Sequence, residues 1–163
     1  MPDVDSEKQA LLHRFGKALN TNDVAAGSTA ATDDFVWIYY EGPDHPEGRI
    51  IRGFKAACEA VVERANRLKT PIVFSESNEF PSGDKMFVTY RVSGEYIDTG
   101  PFDVRAIDIY SFRGDRICSK DTYWKIITAY LFLPSARQYQ WSRKQNRQSQ
   151  PVPVQVLLNS TTK

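Results

Sequence analysis

Val104-Arg105-Ala106-Ile107-Asp108-Ile109-Tyr110-Ser111-Phe112, residues 104–112 of a 163-residue chain, is the stretch whose reading decides the fold. Rich in β-branched and aromatic residues, it reads as a strand, whose successive side chains point to opposite faces. Alternation puts Val104, Ala106, Asp108, Tyr110 and Phe112 on one face, so Asp108 sits among apolar and aromatic neighbours. A carboxylate in that setting must be paired, hydrogen-bonded or protonated, because an isolated buried charge is very costly. Asp108 is therefore a candidate catalytic residue, and a structural ion pair is the plain alternative.

The next segment, 116–127, is also strand-like and follows the turn signal Arg113-Gly114-Asp115. Two registers are open. A three-residue loop places Asp108 opposite Lys120, and Ala106 opposite Thr122. A two-residue Gly114-Asp115 turn shifts the pairing by one and places Asp108 opposite Asp121, where two carboxylates would push one pKa upward. Further strands are expected at 72–78 and 86–96, punctuated by Pro81-Ser82-Gly83-Asp84 and Thr99-Gly100-Pro101.

Upstream, Ser6 and Gln9 read as a capping box opening a helix over 6–20, with Leu11, Leu12, Phe15, Ala18 and Leu19 on one stripe. His13 lies off that stripe. Residues 22–32 suggest a short second helix, and Phe35 to Glu41 a strand ended by Gly42-Pro43-Asp44-His45-Pro46-Glu47-Gly48. From Phe54, the set Cys58, Val61, Val62, Ala65 and Leu68 predicts an amphipathic helix that stops before Pro71. The element order is ααβαββββ. Antiparallel hairpins behind early helices make this an α+β domain with the helices on one face of the sheet.

Composition bounds the rest. With 41% hydrophobic, 25% charged and 12% aromatic residues the chain is ordinarily globular, with aromatics to spare for an apolar cavity. The formal net charge of +1 supplies no global pull toward nucleic acid or an anionic membrane. Its distribution is uneven. The five cations Arg137, Arg143, Lys144, Arg147 and Lys163 leave 16 of the 21 basic residues to face all 20 acids in residues 1–133, a net −4. We read 1–133 as the domain and 134–163 as a basic, Ser/Gln/Pro-rich extension, linker-like over 134–150, with a candidate edge strand at 152–158. Trp141 among those cations makes a mixture that can bind single strands, but no recognised motif accompanies it, and nucleic acid is not an expected partner. There is no signal-peptide pattern and no apolar run of bilayer-spanning length, so a cytoplasmic protein without membrane attachment is expected. Cys58 and Cys118 form neither a CxxC pair nor a disulfide framework, and no metal site is expected.

Alternation also groups Trp37, Tyr39 and Glu41 on one face of the first strand, and Val88, Tyr90 and Val92 on one face of a later one. Tyr39 and Tyr90 are candidate oxygen-polarising groups, although tyrosines on a half-buried sheet more often pack with a wetted tip. Trp124 suits either core packing or a pocket wall.

The run FDVRAIDIYSFRGDRICSKDTYWK, 102–125, resembles the closing hairpin of SnoaL-like proteins of the nuclear transport factor 2-like superfamily. RFGKALNTNDVAAGSTAATDDFVWIYYEG, 14–42, is similar to the first helix, short second helix and first strand of that family, and IRGFKAACEAV, 51–61, to its next helix. The resemblance implies a strongly curved antiparallel sheet with the N-terminal helices enclosing a pocket. The superfamily includes ketosteroid isomerase, scytalone dehydratase, limonene epoxide hydrolase and polyketide cyclases, which work without metal or organic cofactor, beside members that only bind or assemble. By resemblance, Asp108 falls where the isomerase keeps its oxyanion-binding acid, and Cys118, Lys120, Thr122 and Trp124 fall on its pocket-lining face. Phe15 stands in the place of the isomerase's oxyanion tyrosine and Tyr39 in that of its general-base aspartate, which argues against steroid isomerisation by that mechanism.

The resemblance thus implies a cofactor-independent lyase or isomerase acting on a small apolar cyclic metabolite. Asp108 would move a proton, with Tyr39, Tyr90 and Lys120 completing the catalytic set, and Phe15, Trp37, Glu41, Val88, Tyr110, Thr122 and Trp124 would line the substrate site. The alternative is a non-catalytic module that binds a small hydrophobic molecule or assembles. A deep, open pocket with Asp108 unpaired favours the enzyme, and a pocket filled by Trp37, Tyr39 and Trp124 favours the module. By resemblance, too, a homodimer would form through the outer sheet face, covering Phe87, Ile107, Ile109 and Ile117.

Overall fold

The computed structural model describes residues 4–40 and 46–125. Glu41, the basic extension and its candidate edge strand lie outside the described residues. Three helices and six strands follow in the order α1 (Val4–Asn20), α2 (Val24–Ala30), β1 (Ala31–Tyr40), β2 (Arg49–Arg52), α3 (Phe54–Asn66), β3 (Leu68–Ser82), β4 (Lys85–Tyr96), β5 (Gly100–Arg113) and β6 (Arg116–Trp124). The strands form one sheet, ordered β2-β1-β6-β5-β4-β3. This is the expected α+β architecture, a curved, unclosed sheet with helices packed on it.

Four details differ from the expectation. The four-residue strand β2 went unread, because Arg49-Ile50-Ile51-Arg52 is too short to show a period; it pairs antiparallel with β1, Ile51 facing Trp37. The sheet is not wholly antiparallel, since β1 and β6 run side by side in the same direction. Helix α1 already includes Ser6, so that residue is not its cap. Helix α3 ends at Asn66 and Leu68 opens β3, because the pairing of Leu68 with Tyr96 claims for the sheet a residue that helical spacing had assigned to the stripe.

Helix α1 buries Leu11, Leu12, Phe15, Ala18 and Leu19, the stripe read from the sequence. Asp23 caps α2 by accepting from the Ala26 amide at 2.9 Å. Gly27 then lets α2 press on α3, since a Cβ there would stand 1.8 Å from the Phe54 ring. Phe15, Phe35 and Phe54 meet beneath the helices with ring centroids 5.2–6.4 Å apart. Register breaks in β3 at Leu68–Thr70, Thr70–Val73 and Ser75–Asn78 mark bulges, which bend the outer strands.

The β5–β6 hairpin takes neither anticipated register. Arg113 pairs with Arg116, so the loop is the two-residue Gly114-Asp115 turn, with Gly114 at the positive φ of 63° that such a turn favours. A bulge follows: Phe112 faces Ile117, yet Ser111 faces Ser119. The inserted residue moves the pairing on by one, and Asp108 faces Thr122 while Lys120 faces Tyr110. The bulge also reverses two assignments. Ile117 is fully buried in the core instead of lying on the outer face, and Cys118 leaves the inner face at the bulge, where its Sγ donates to the Ser111 carbonyl at 3.4 Å.

Candidate functional site

Three strands aim polar side chains at one buried point. Asp108 on β5 and Lys120 on β6 are 5% and 8% exposed, and Lys120 Nζ lies 3.0 Å from Asp108 Oδ2. The contact is diagonal across the ladder, between Asp108 and the partner of Tyr110. Tyr90 on β4 donates to Asp108 Oδ1 at 3.1 Å, and Tyr110 donates to Oδ2 at 3.2 Å. The carboxylate thus receives two hydroxyls and an ammonium, which answers the cost of burying it. Lys120 also lies 4.8 Å from the Trp37 ring centroid and 5.4 Å from that of Tyr110, so ring faces line the rest of its surroundings. Burial, reinforced by the Asp108 charge, raises both tyrosine pKa values well above the usual phenol value, so Tyr90 and Tyr110 stay neutral donors.

Beside this cluster opens a cavity of about 450 Å³ between the end of α3 and strands β1, β2, β5 and β6. Its apolar wall includes Trp37, Tyr39, Ile51, Phe102, Val104 and Trp124. Trp124 joins wall to cluster: its indole N–H donates to Tyr90 Oη at 3.3 Å, and Phe102 stacks on it at 5.5 Å. Trp37 is anchored similarly, donating to Thr122 Oγ1 at 2.8 Å. Gly94 lets Phe102 lie close to β4, because a Cβ there would come within 2.9 Å of that ring.

The expected site residues divide accordingly. Trp37, Tyr39 and Trp124 line the cavity, while Asp108, Tyr90, Tyr110 and Lys120 form the cluster behind the wall. Thr122 anchors Trp37 from behind, and Val88 is buried directly opposite Asp108. Phe15, wholly buried between Phe35, Phe54 and Tyr110, belongs to the core and not to the cavity wall.

What sequence reading missed is the basic mouth. Among the described residues, Arg49, Arg64, Arg67 and Lys125 line the same cavity, against the single carboxylate of Glu63. A signal existed: the inward stripe of α3 is Phe54, Ala57, Cys58, Val61 and then Arg64, whereas Val62 and Ala65, assigned to it from the sequence, are exposed. An arginine thus continues an apolar stripe at helical spacing. Among the described residues no group of three His, Cys, Asp or Glu side chains could hold a metal ion, and no helix is long and apolar enough to cross a membrane.

Helices covering the concave side of a bent, unclosed sheet, with a cavity walled by aromatic rings and a polar cluster at its back, define the cone-shaped pocket folds of the nuclear transport factor 2-like kind. The SnoaL-like domain matches residues 12–120, and the chain belongs to that family. Solved structures agree on the fold. A nuclear transport factor 2-like protein from Burkholderia xenovorans, 20% identical, matches 74% of this chain and 90% of its own with a TM-score of 0.61. A Bacillus subtilis protein provisionally named an isomerase is 17% identical over 76% of this chain and 90% of its own, TM-score 0.58. A Jannaschia protein provisionally named a SnoaL-like polyketide cyclase is 12% identical over 77% and 90%, TM-score 0.58. No curated protein matches the chain in sequence.

Proposed function

We propose that this chain binds a small cyclic molecule whose apolar ring lies in the aromatic cavity, and that Asp108 serves the architecture of the wall more than the chemistry of a reaction. The observation that carries this reading is the saturation of Asp108: Tyr90, Tyr110 and Lys120 all point donors at it, and none of the four lines the cavity. A general base must come within hydrogen-bond reach of the proton it takes. The cavity itself has the size and the largely apolar wall of a small-molecule site.

A cofactor-independent proton-transfer enzyme is the second reading, favoured by the Trp124–Tyr90–Asp108 chain of hydrogen bonds, which ends on a cavity-lining residue. 1-Tetralone, a flat neutral ketone, separates the two. Saturable quenching of tryptophan fluorescence, with no deuteration of the ketone's α-carbon in heavy water above the blank, is the expected result. Deuteration that Asp108→Asn abolishes would establish the enzyme instead, and the absence of saturable quenching by both 1-tetralone and 2-naphthoate would overturn both readings.

We also propose that two copies pair through the outer sheet face, where Phe87, Ile107 and Ile109 remain partly exposed. Light scattering at micromolar concentration should give the mass of two chains; that of one chain would rule the pairing out.

A further inference from the structure

Four cations at the mouth of an apolar cavity need partners of their own, and their partners differ. Arg49 pairs with Glu63 at 2.7 Å, and Arg67 with Asp98 at 3.5 Å. Arg64 has no carboxylate partner among the described residues; its guanidinium lies over the Trp124 ring, 5.7 Å from the centroid. It sits on the inward stripe of α3, half-buried, and lines both the main cavity and a second one of about 430 Å³ bounded by Val61, Leu68, Ile72 and Phe74. A guanidinium held at an apolar wall without a counter-ion supplies several aligned N–H donors and a permanent charge. Its platform is rigid, because Trp124 is stacked on Phe102 and hydrogen-bonded to Tyr90.

We propose that the molecule taken by this cavity is a carboxylate: a flat ring system whose acid group is received by Arg64 at the mouth while the ring lies against Trp124 and Tyr39. The inference rests on the cavity being a ligand site and names the chemical class. A carboxylate matches the planar guanidinium fork through two parallel charge-assisted hydrogen bonds. An amine of the same shape would meet, among the described residues, four cations and one acid at the same mouth, which disfavours it.

The test compares 2-naphthoate with 2-naphthamide, equal in shape and different in charge, by titration calorimetry against the full chain and its Arg64→Ala and Arg64→Gln variants. Circular dichroism checks that each variant is folded. The unaltered protein should bind 2-naphthoate at least tenfold more tightly than 2-naphthamide. Both variants should lose about tenfold toward the acid and stay within twofold toward the amide. Equal binding of both probes, unaffected by either variant, would overturn the carboxylate assignment and leave the cavity reading standing. A preference for the acid that survives both variants would overturn the role of Arg64. If neither probe binds, the cavity reading and the inference fall together.

Discussion

Lys120→Met should lower unfolding free energy by about 3–5 kcal/mol, because it leaves the buried Asp108 carboxylate without its counter-ion. Against the roughly 5–15 kcal/mol that separates folded from unfolded states in typical domains, that is enough to leave much of the protein unfolded at moderate temperature. The loss has two parts. The ammonium 3.0 Å from Asp108 Oδ2 disappears, and so do its contacts with the faces of Trp37 and Tyr110. The two tyrosine hydroxyls remain as donors but carry no full charge. Adding Asp108→Asn to Lys120→Met should recover more than half of the loss, since an amide oxygen still accepts from Tyr90 and Tyr110 and no buried charge is left. Replacing Asp108 with leucine in the same background should recover less, because both hydroxyls would lose their acceptor, at about 1–3 kcal/mol each. Urea denaturation at pH 7 measures all of these. A Lys120→Met variant within 1 kcal/mol of the parent would show that the pair is not a buried charge pair at all.

Phe15→Ala should cost about 3–5 kcal/mol, the usual range for deleting a buried ring, while leaving ligand affinity in the folded fraction unchanged within twofold. The ring has no exposed surface and touches Phe35, Phe54 and Tyr110 with centroids 5.3, 5.2 and 5.9 Å away. Since Tyr110 belongs to the Asp108 cluster, the cavity left by the ring would open directly beside the buried ion pair. Phe15→Leu, which fills most of that volume, should cost about 1–1.5 kcal/mol. Thermal or urea unfolding reads the stability, and 1-tetralone titration of the folded variant reads the affinity. A Phe15→Ala protein that keeps its stability but loses the ligand would return Phe15 to the binding site.

Taken together, these expectations separate two jobs that one sheet face performs. Behind the wall, Asp108, Lys120, Tyr90 and Tyr110 satisfy one another, and the indole of Trp124 is fixed by the edge of that cluster. In front of it, the same indole presents its face to the cavity and to Arg64. The stability cost of disturbing the cluster and the affinity cost of disturbing the mouth should therefore be separable, with Trp124 the residue at which they meet.

Which residues share the inner face was legible in the sequence, because strand alternation is a local property of the backbone. Val104, Ala106, Asp108, Tyr110 and Phe112 were grouped correctly, as were Trp37 with Tyr39 and Val88 with Tyr90. The stripe of α1 was legible for the same reason, through a period of 3.6. The relation between strands was not. Neither a two-residue nor a three-residue turn places Asp108 opposite Thr122; a two-residue turn and a bulge together do, and the bulge exists because β6 must bury both Ile117 and Lys120, three residues apart, on one face. The pairing of Asp108 with Lys120 was anticipated, yet it forms along a diagonal that no reading of the turn supplied. Arg64 was hidden for a different reason: a charged residue on an apolar stripe is ordinarily taken for the edge of the solvated face, and only the packing of α3 against the open end of the sheet turns it inward. The chain's own periodicity thus determined the elements and their faces, while the tertiary structure alone decided which faces meet, because contacts between strands and helices distant in sequence depend on bulges, bends and packing that no local pattern records.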